Sequence, residues 1–248
     1  MTLDDIAGVA HSPAGRPAGV VLLTHGAGGS RDSPLLLRIC DEWASRGWLA
    51  IRYNLPYRRR RPKGPPSSSA ATDQAGIVEA IEFAHTLSDG PVLAGGHSYG
   101  GRMTSMVAAT MCARDERAEE PRSRTGAATM CARDERAEEP RNRTGAATAR
   151  TDLAALTLFS YPLHPPGKPE RARTEHLPDI AVPTVFIHGT ADPFGTIDEL
   201  TAAAALVTGP TEIVEITGAR HDLGSKKLDV PALAVAAALR LAGFSRPA

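Results

Sequence analysis

The sequence predicts a single α/β domain: a mostly parallel, doubly wound sheet of about six to seven strands, with helices covering both faces. Three observations lead to this class. Short continuous apolar runs alternate with segments of helical periodicity, the pattern of strands buried on both sides. Two of the runs end in glycine-rich loops, as strands do at the edge where α/β sheets bind ligands. The chain has 248 residues, 42% of them hydrophobic, enough for one sizeable core.

Taken in order, the first apolar run is Val20 to Leu23, ended by Thr24-His25-Gly26-Ala27-Gly28-Gly29. Ser33 and Pro34 read as N-cap and first residue of a helix that stops at Gly47. Trp48 to Tyr53 is the second strand. Ile77, Ile81, Ala84 and Leu87 then mark one helix face at spacings near 3.6. Val92 to Gly95, Leu153 to Phe159, Thr184 to Ile187 and Glu212 to Ile216 are the remaining strands. Thr196 and Glu199 stand at capping-box spacing, and Pro231 to Leu241 is an alanine-rich closing helix stopped by Gly243. No pattern sets the path of the first 18 residues.

One stretch interrupts this rhythm. Residues 109–127 and 128–146 are the same 19 residues in tandem, differing only at Ser123 and Asn142. Each copy holds four arginines and four acids in a helix-forming run before a Pro and an Arg-Thr-Gly turn. Two copies fall short of the roughly three that a stacked solenoid needs, so the expectation is a polar helical hairpin or a partly disordered insert within the single domain 1–248. A helix that follows a parallel strand runs back down the sheet, so this insert is expected at the strands' N-terminal edge, away from ligands. It reads as catalytically neutral, with a partner-binding arm as the alternative.

Composition narrows the classes of function. The 28 basic and 28 acidic residues cancel, which argues against nucleic acid or a membrane surface as partner. Cys40, Cys112 and Cys131 show no CxxC or ligand spacing and read as reduced thiols. Met1 to Pro17 has neither the basic nor the apolar region of an export signal, so a cytoplasmic protein is expected.

The chemistry centres on Gly96-His97-Ser98-Tyr99-Gly100-Gly101, placed between a strand and a helix. A G-x-S-x-G turn there exposes its serine on a sharp bend, and glycines at 96 and 100 omit the β-carbons that would clash. An alcohol near neutral pH needs a base to become a nucleophile. His221, in Thr217-Gly218-Ala219-Arg220-His221-Asp222, lies just past the last strand and suits that role. His11 and His85 read as surface residues, and His97 as fixed by the backbone of the turn. The base in turn needs a carboxylate, and Asp192 leaves the strand Thr184 to Ile187 through His188-Gly189-Thr190-Ala191. Asp198, Glu199 and Asp222 are weaker candidates, the first two inside the capped helix and the third beside the base. Ser98, Asp192 and His221 stand in the chain order serine, acid, histidine. An oxyanion would be held by the N–H of Tyr99 and by a second from the early glycine loop, Ala27 first and Gly26 next.

On the early glycine loop, the serine turn, His188-Gly189-Thr190-Ala191-Asp192-Pro193 and His221, the chain resembles the α/β-hydrolase superfamily, in particular its compact, dienelactone-hydrolase-like branch. The resemblance runs from about Val20 to Leu241, interrupted by the repeat. It implies the α/β-hydrolase fold and cleavage of small carboxylic esters or thioesters through an acyl-enzyme. No cap domain is expected, since only residues 160–183 lie where many relatives insert one. The reading calls for no cofactor and no metal, and leaves the oligomeric state open. Tyr161 and His164, in Tyr161-Pro162-Leu163-His164-Pro165, are candidates for a substrate wall. Arg58, first of the run Arg58 to Arg61, is a candidate for attracting an anionic group, with a solvated loop as the plainer reading. The competing classes are a noncatalytic interaction protein on the same scaffold and an acyltransferase.

Overall fold

The computed structural model describes residues 1–66, 70–119 and 152–244. Alternation within the apolar runs decides which face each side chain covers. In β2 (Val20–Thr24) every residue is buried. Val20 and Leu22 join one core cluster, and Val21 and Leu23 join another, because successive strand side chains point to opposite faces. The same logic governs β3 (Leu49–Tyr53), β4 (Val92–His97), β5 (Ala155–Phe159) and β6 (Thr184–Gly189). β7 (Thr211–Ile216) is partly exposed at the rim.

The seventh strand, β1 (Gly8–His11), lies in the stretch that carried no pattern. It is antiparallel to β3 and only half-buried, so its residues show no apolar run. The sheet order is β1-β3-β2-β4-β5-β6-β7, and all pairings from β3 to β7 are parallel.

Helices α1 (Pro34–Ser45) and α6 (Val230–Leu241) pack on one face. Leu36, Ile39 and Trp43 from α1 meet Val235 and Ala238 from α6 in that layer, with Trp43 edge-on to Trp48 at 5.4 Å. Helices α3 (Ala71–His85), α4 (Tyr99–Glu119) and α5 (Ile197–Ala204) cover the other face through Ile77, Ile81, Met103, Val107 and Leu200. Each such side chain removed from water stabilises the fold by about 1.5–3 kcal/mol. The short α2 (Pro56–Arg60) links β3 toward α3.

The caps follow the sequence closely. Gly47 takes φ 85° after α1, Thr196 and Glu199 form a reciprocal capping box, and Gly243 takes φ 72° after α6. Ser33 occupies the N-cap of α1, but its hydroxyl makes no capping bond. Leu87 is a correction: α3 ends at His85, and Leu87 is exposed beyond it. His11 and His85 are also not surface residues. Their side chains are 12% and 4% exposed, and they bond to Asp41 and Arg52, and to the Asp152 carbonyl, respectively.

Two features position the site. β2 lies between β3 and β4, so the chain leaves β2 to one side for β3 and returns on the other for β4. This reversal opens a crevice at the C-terminal ends of β2 and β4. Thr24 is in register with Gly96, so the loops after the two strands start level. At the opposite edge, Ala154 N–H donates to the Val92 carbonyl, which puts the return from the repeat far from that crevice. The repeat's first residues continue α4 to Glu119, and the rest of the insert expected over 109–146 lies outside the described residues.

Candidate active site

Ser98 is built by backbone geometry. It has φ 50°, a left-handed conformation that costs a non-glycine residue on the order of 1–3 kcal/mol. The bend is tight enough that a β-carbon on Gly96 would sit 2.7 Å from the Thr24 carbonyl, and one on Gly100 2.5 Å from the His25 carbonyl. The Thr24 carbonyl ends β2, held between β3 and β4, and the His25 carbonyl follows it directly. Ser98 N–H donates to the Phe159 carbonyl at 2.8 Å, pinning the bend to β5.

Three elements bring the predicted residues together. Ser98 Oγ lies 2.8 Å from His221 Nε2. His221 Nδ1 lies 2.8 Å and 3.0 Å from the Asp192 oxygens. The Asp192 side chain is fully buried and also accepts the Phe194 N–H at 2.9 Å. Burial pushes its pKa up, but the hydrogen bonds from His221 and Phe194 outweigh this and hold it below the ordinary carboxylate value. An ionised Asp192 fixes Nδ1–H on His221 and leaves Nε2 free to accept from Ser98. The Phe194 ring stacks on His221, with centroids 4.2 Å apart.

His97 does more than follow the turn. Its Nε2–H donates to the His221 backbone carbonyl at 2.7 Å, so it ties the nucleophile strand to the base loop. Burial lowers its pKa and keeps it neutral. Its other nitrogen would lie 2.9 Å from any β-carbon on Gly26, so position 26 must be glycine for the early loop to approach this closely.

That early loop is braced from behind by residues whose part the sequence did not show. Asp73 is fully buried and accepts from Tyr57 N–H at 3.0 Å and Tyr99 O–H at 2.8 Å. Tyr57 O–H donates to the Ala27 carbonyl at 2.8 Å. His25 bridges the Gly26 carbonyl and Leu55 N–H. Among the described residues, no protein acceptor takes the backbone N–H of Ala27 or of Tyr99. The one signal in the sequence was that Tyr57 follows β3 at the same sheet edge; nothing marked Asp73.

The substrate-wall candidates fall elsewhere. Arg58 is neither a solvated loop residue nor a pocket-lining one. It sits in α2, 5% exposed, and donates to the carbonyls of Gly29, Ala27, Gly64 and Arg61. Tyr161 is buried edge-on to Phe186, with its hydroxyl on the Arg173 carbonyl. His164 lines a separate surface groove and contacts Glu199 at 3.3 Å. The cavity beside Ser98, about 660 Å³, is walled instead by Ala27, Tyr99, Pro162, Phe194 and His221, with Arg102 and Arg173.

Residues 160–183 hold only two short 3-10 turns, Pro169–Arg171 and Leu177–Asp179, and among the described residues no cap domain covers the cavity. Among the described residues, no group of three or more His, Cys, Asp or Glu is placed to hold a metal ion. None of their helices is long and apolar enough to cross a membrane.

A protein whose nucleophile-like serine rides such a bend above a parallel sheet belongs to a recognisable class, and comparison with known families specifies it. A model described as an alpha/beta hydrolase domain matches residues 17–131 and 127–234, so the chain belongs to that family. The two matched pieces overlap around the junction of the 19-residue copies, the place where the chain carries duplicated sequence. Solved structures agree in fold. One is a dienelactone hydrolase from Anabaena variabilis, 19% identical, TM-score 0.60, with 96% of this chain and 89% of that one covered. Another is Est1E from Butyrivibrio proteoclasticus, solved with ferulic acid bound, at 14% identity and TM-score 0.62, covering 93% and 91%. A third, from Xanthomonas campestris, is a member of the α/β serine hydrolases without a lid, at 14% and 0.57, covering 94% and 87%. At these identities the likeness speaks for the fold.

Proposed function

We propose that the chain is a serine hydrolase that cleaves small carboxylic esters or thioesters through an acyl-enzyme on Ser98. The observation that carries this reading is the unbroken hydrogen-bonded line from Asp192 through His221 to Ser98, opening on the cavity beside Ser98. His221 Nε2 takes the Ser98 proton as Oγ bonds to the carbonyl carbon, and Asp192 stabilises the imidazolium that results. The carbonyl oxygen becomes an oxyanion facing the N–H groups of Ala27 and Tyr99. Its collapse breaks the bond to the alcohol or thiol, which leaves with the proton from His221. Water then repeats the sequence on the acyl-enzyme and releases the acid.

A fluorophosphonate probe should form an adduct on Ser98, found by peptide mass spectrometry. Ser98→Ala should lower turnover of 4-nitrophenyl acetate by about 10⁴-fold. An unlabelled, correctly folded protein, or undiminished turnover in the variant, overturns the proposal.

A further inference from the structure

We infer that Arg102 and Arg173 form an anion subsite in the Ser98 cavity, so that the preferred ester or thioester carries a carboxylate or similar anionic group. This rests on the hydrolase reading of the same cavity and specifies its substrate class.

Both arginines line the cavity with Ser98. Arg102 stands one helical turn beyond the nucleophile, its N–H donating to the Ser98 carbonyl at 2.9 Å. Side chains on a helix lean toward its N-terminus, and Arg102 is among the residues that line the cavity with Ser98. Arg173 enters from the facing loop and is held in place. Its N–H donates to the Leu163 carbonyl, its Nη1 to the Pro162 carbonyl, and its own carbonyl accepts from Tyr161. The rest of its donor fork stays available to the cavity.

What sets the pair apart is the lack of compensation at half-buried positions: Arg38, Arg60, Arg61, Arg171 and Arg220 also reach no described carboxylate but are exposed, and Arg58 spends its donors on carbonyls. Arg46, Arg52, Arg59 and Arg240 each reach a carboxylate within 4.0 Å. Among the described residues, Arg102 and Arg173 reach none. Arg102 Nε is buried with no hydrogen-bond partner, and an unpaired buried donor is costly to leave unsatisfied. The two cations also work against each other: burial first, and then the Arg102 charge, lower the pKa of Arg173. Among the described residues, no carboxylate answers them from the cavity wall. Asp192 is spent on His221, and Glu175, on the same loop as Arg173, is exposed and does not line the cavity. Neighbouring His176 adds no charge near neutral pH, because burial, then Arg102, hold its pKa at about 4. Two guanidinium groups lining one cavity, Arg173 held in place, are a fitting receptor for a carboxylate or phosphate oxygen pair.

The test pairs anionic esters with neutral counterparts. 4-Nitrophenyl hemiglutarate against 4-nitrophenyl valerate puts the anion on the acyl side. 4-Carboxyphenyl acetate against phenyl acetate puts it on the leaving group. In at least one pair the anionic ester should show about tenfold higher kcat/KM. Arg102→Gln and Arg173→Gln should each cut that ratio about tenfold, mainly through KM, and Arg173→Lys should restore part of it. Independently of turnover, glutarate should bind the Ser98→Ala protein in calorimetry and bind about tenfold more weakly when either arginine is also Gln. Retained, arginine-dependent glutarate binding without turnover of any ester would break the hydrolase reading and support the subsite. Equal turnover within both pairs, or glutarate binding indifferent to both substitutions, overturns the subsite and leaves the hydrolase reading intact.

Discussion

The cavity has two walls, and both are furnished with arginine to opposite effect. Behind the loop of Gly26 to Gly29, Arg58 spends its donors on four backbone carbonyls, and Tyr57 and His25 complete the brace. Elsewhere on the lining, from α4 and from the loop after β5, Arg102 and Arg173 carry guanidinium groups that no carboxylate of the described residues meets within 4.0 Å. The first wall is a finished structure that presents backbone N–H groups. The second is an electrostatically incomplete one that presents side chains. An arginine at a ligand edge is therefore a fastener or a receptor according to whether its donors are consumed, not according to the edge on which its sequence places it.

The sharpest way to break this contrast is Arg58→Gln. Leaving buried carbonyls unpaired should cost about 2–4 kcal/mol of stability in urea unfolding, and loosening the glycine loop should lower kcat about 10²-fold. An unchanged protein would mean that the first wall needs no fastening.

Acid should weaken the same wall next. Burial lowers the His25 pKa to about 4, and its neutral ring both donates to Gly26 and accepts from Leu55. Its unfolded value is about 6.5, so between these values the unfolded chain binds the proton and the native state does not. Stability is fully present above about pH 6.5 and is lost as pH falls toward 4, on the order of 3 kcal/mol from His25. His97 and His176 shift in the same direction. Urea midpoints measured from pH 7 to 4 should fall steadily, and His25→Asn should flatten the curve.

The second wall should respond differently. Arg102→Gln removes a cation that no carboxylate of the described residues pairs, so thermal unfolding should show no loss of stability, and a gain of less than about 1 kcal/mol. A destabilisation as large as that of Arg58→Gln would erase the distinction between the walls. The smallest effect is expected from deleting residues 128–146: kcat/KM for 4-nitrophenyl acetate should stay within about twofold. The chain returns from the repeat beside Val92, at the edge opposite Ser98, so a large loss in folded deletant would place the repeat nearer the cavity than that return indicates.

Legibility tracked the range of each interaction. Strands buried on both faces, caps such as Thr196 with Glu199, and the glycines of the serine bend are written in a few adjacent residues, and they could be read directly. β1 escaped because an antiparallel edge strand needs no apolar run. Asp73 escaped because its partners, Tyr57 and Tyr99, lie 16 and 26 residues away, and a lone buried acid leaves no local trace. Arg58 was misplaced for the same reason: a basic run looks solvated until the carbonyls that receive it are brought near.

By itself the sequence determined the alternation that builds the parallel sheet, the bend at Ser98 and the order of serine, acid and histidine, all set by local sterics and periodicity. Only the tertiary structure decided which arginines close on backbone and which stay open to the cavity. That choice depends on where distant carbonyls and carboxylates come to rest once the sheet is assembled, and charge is satisfied in space rather than along the chain.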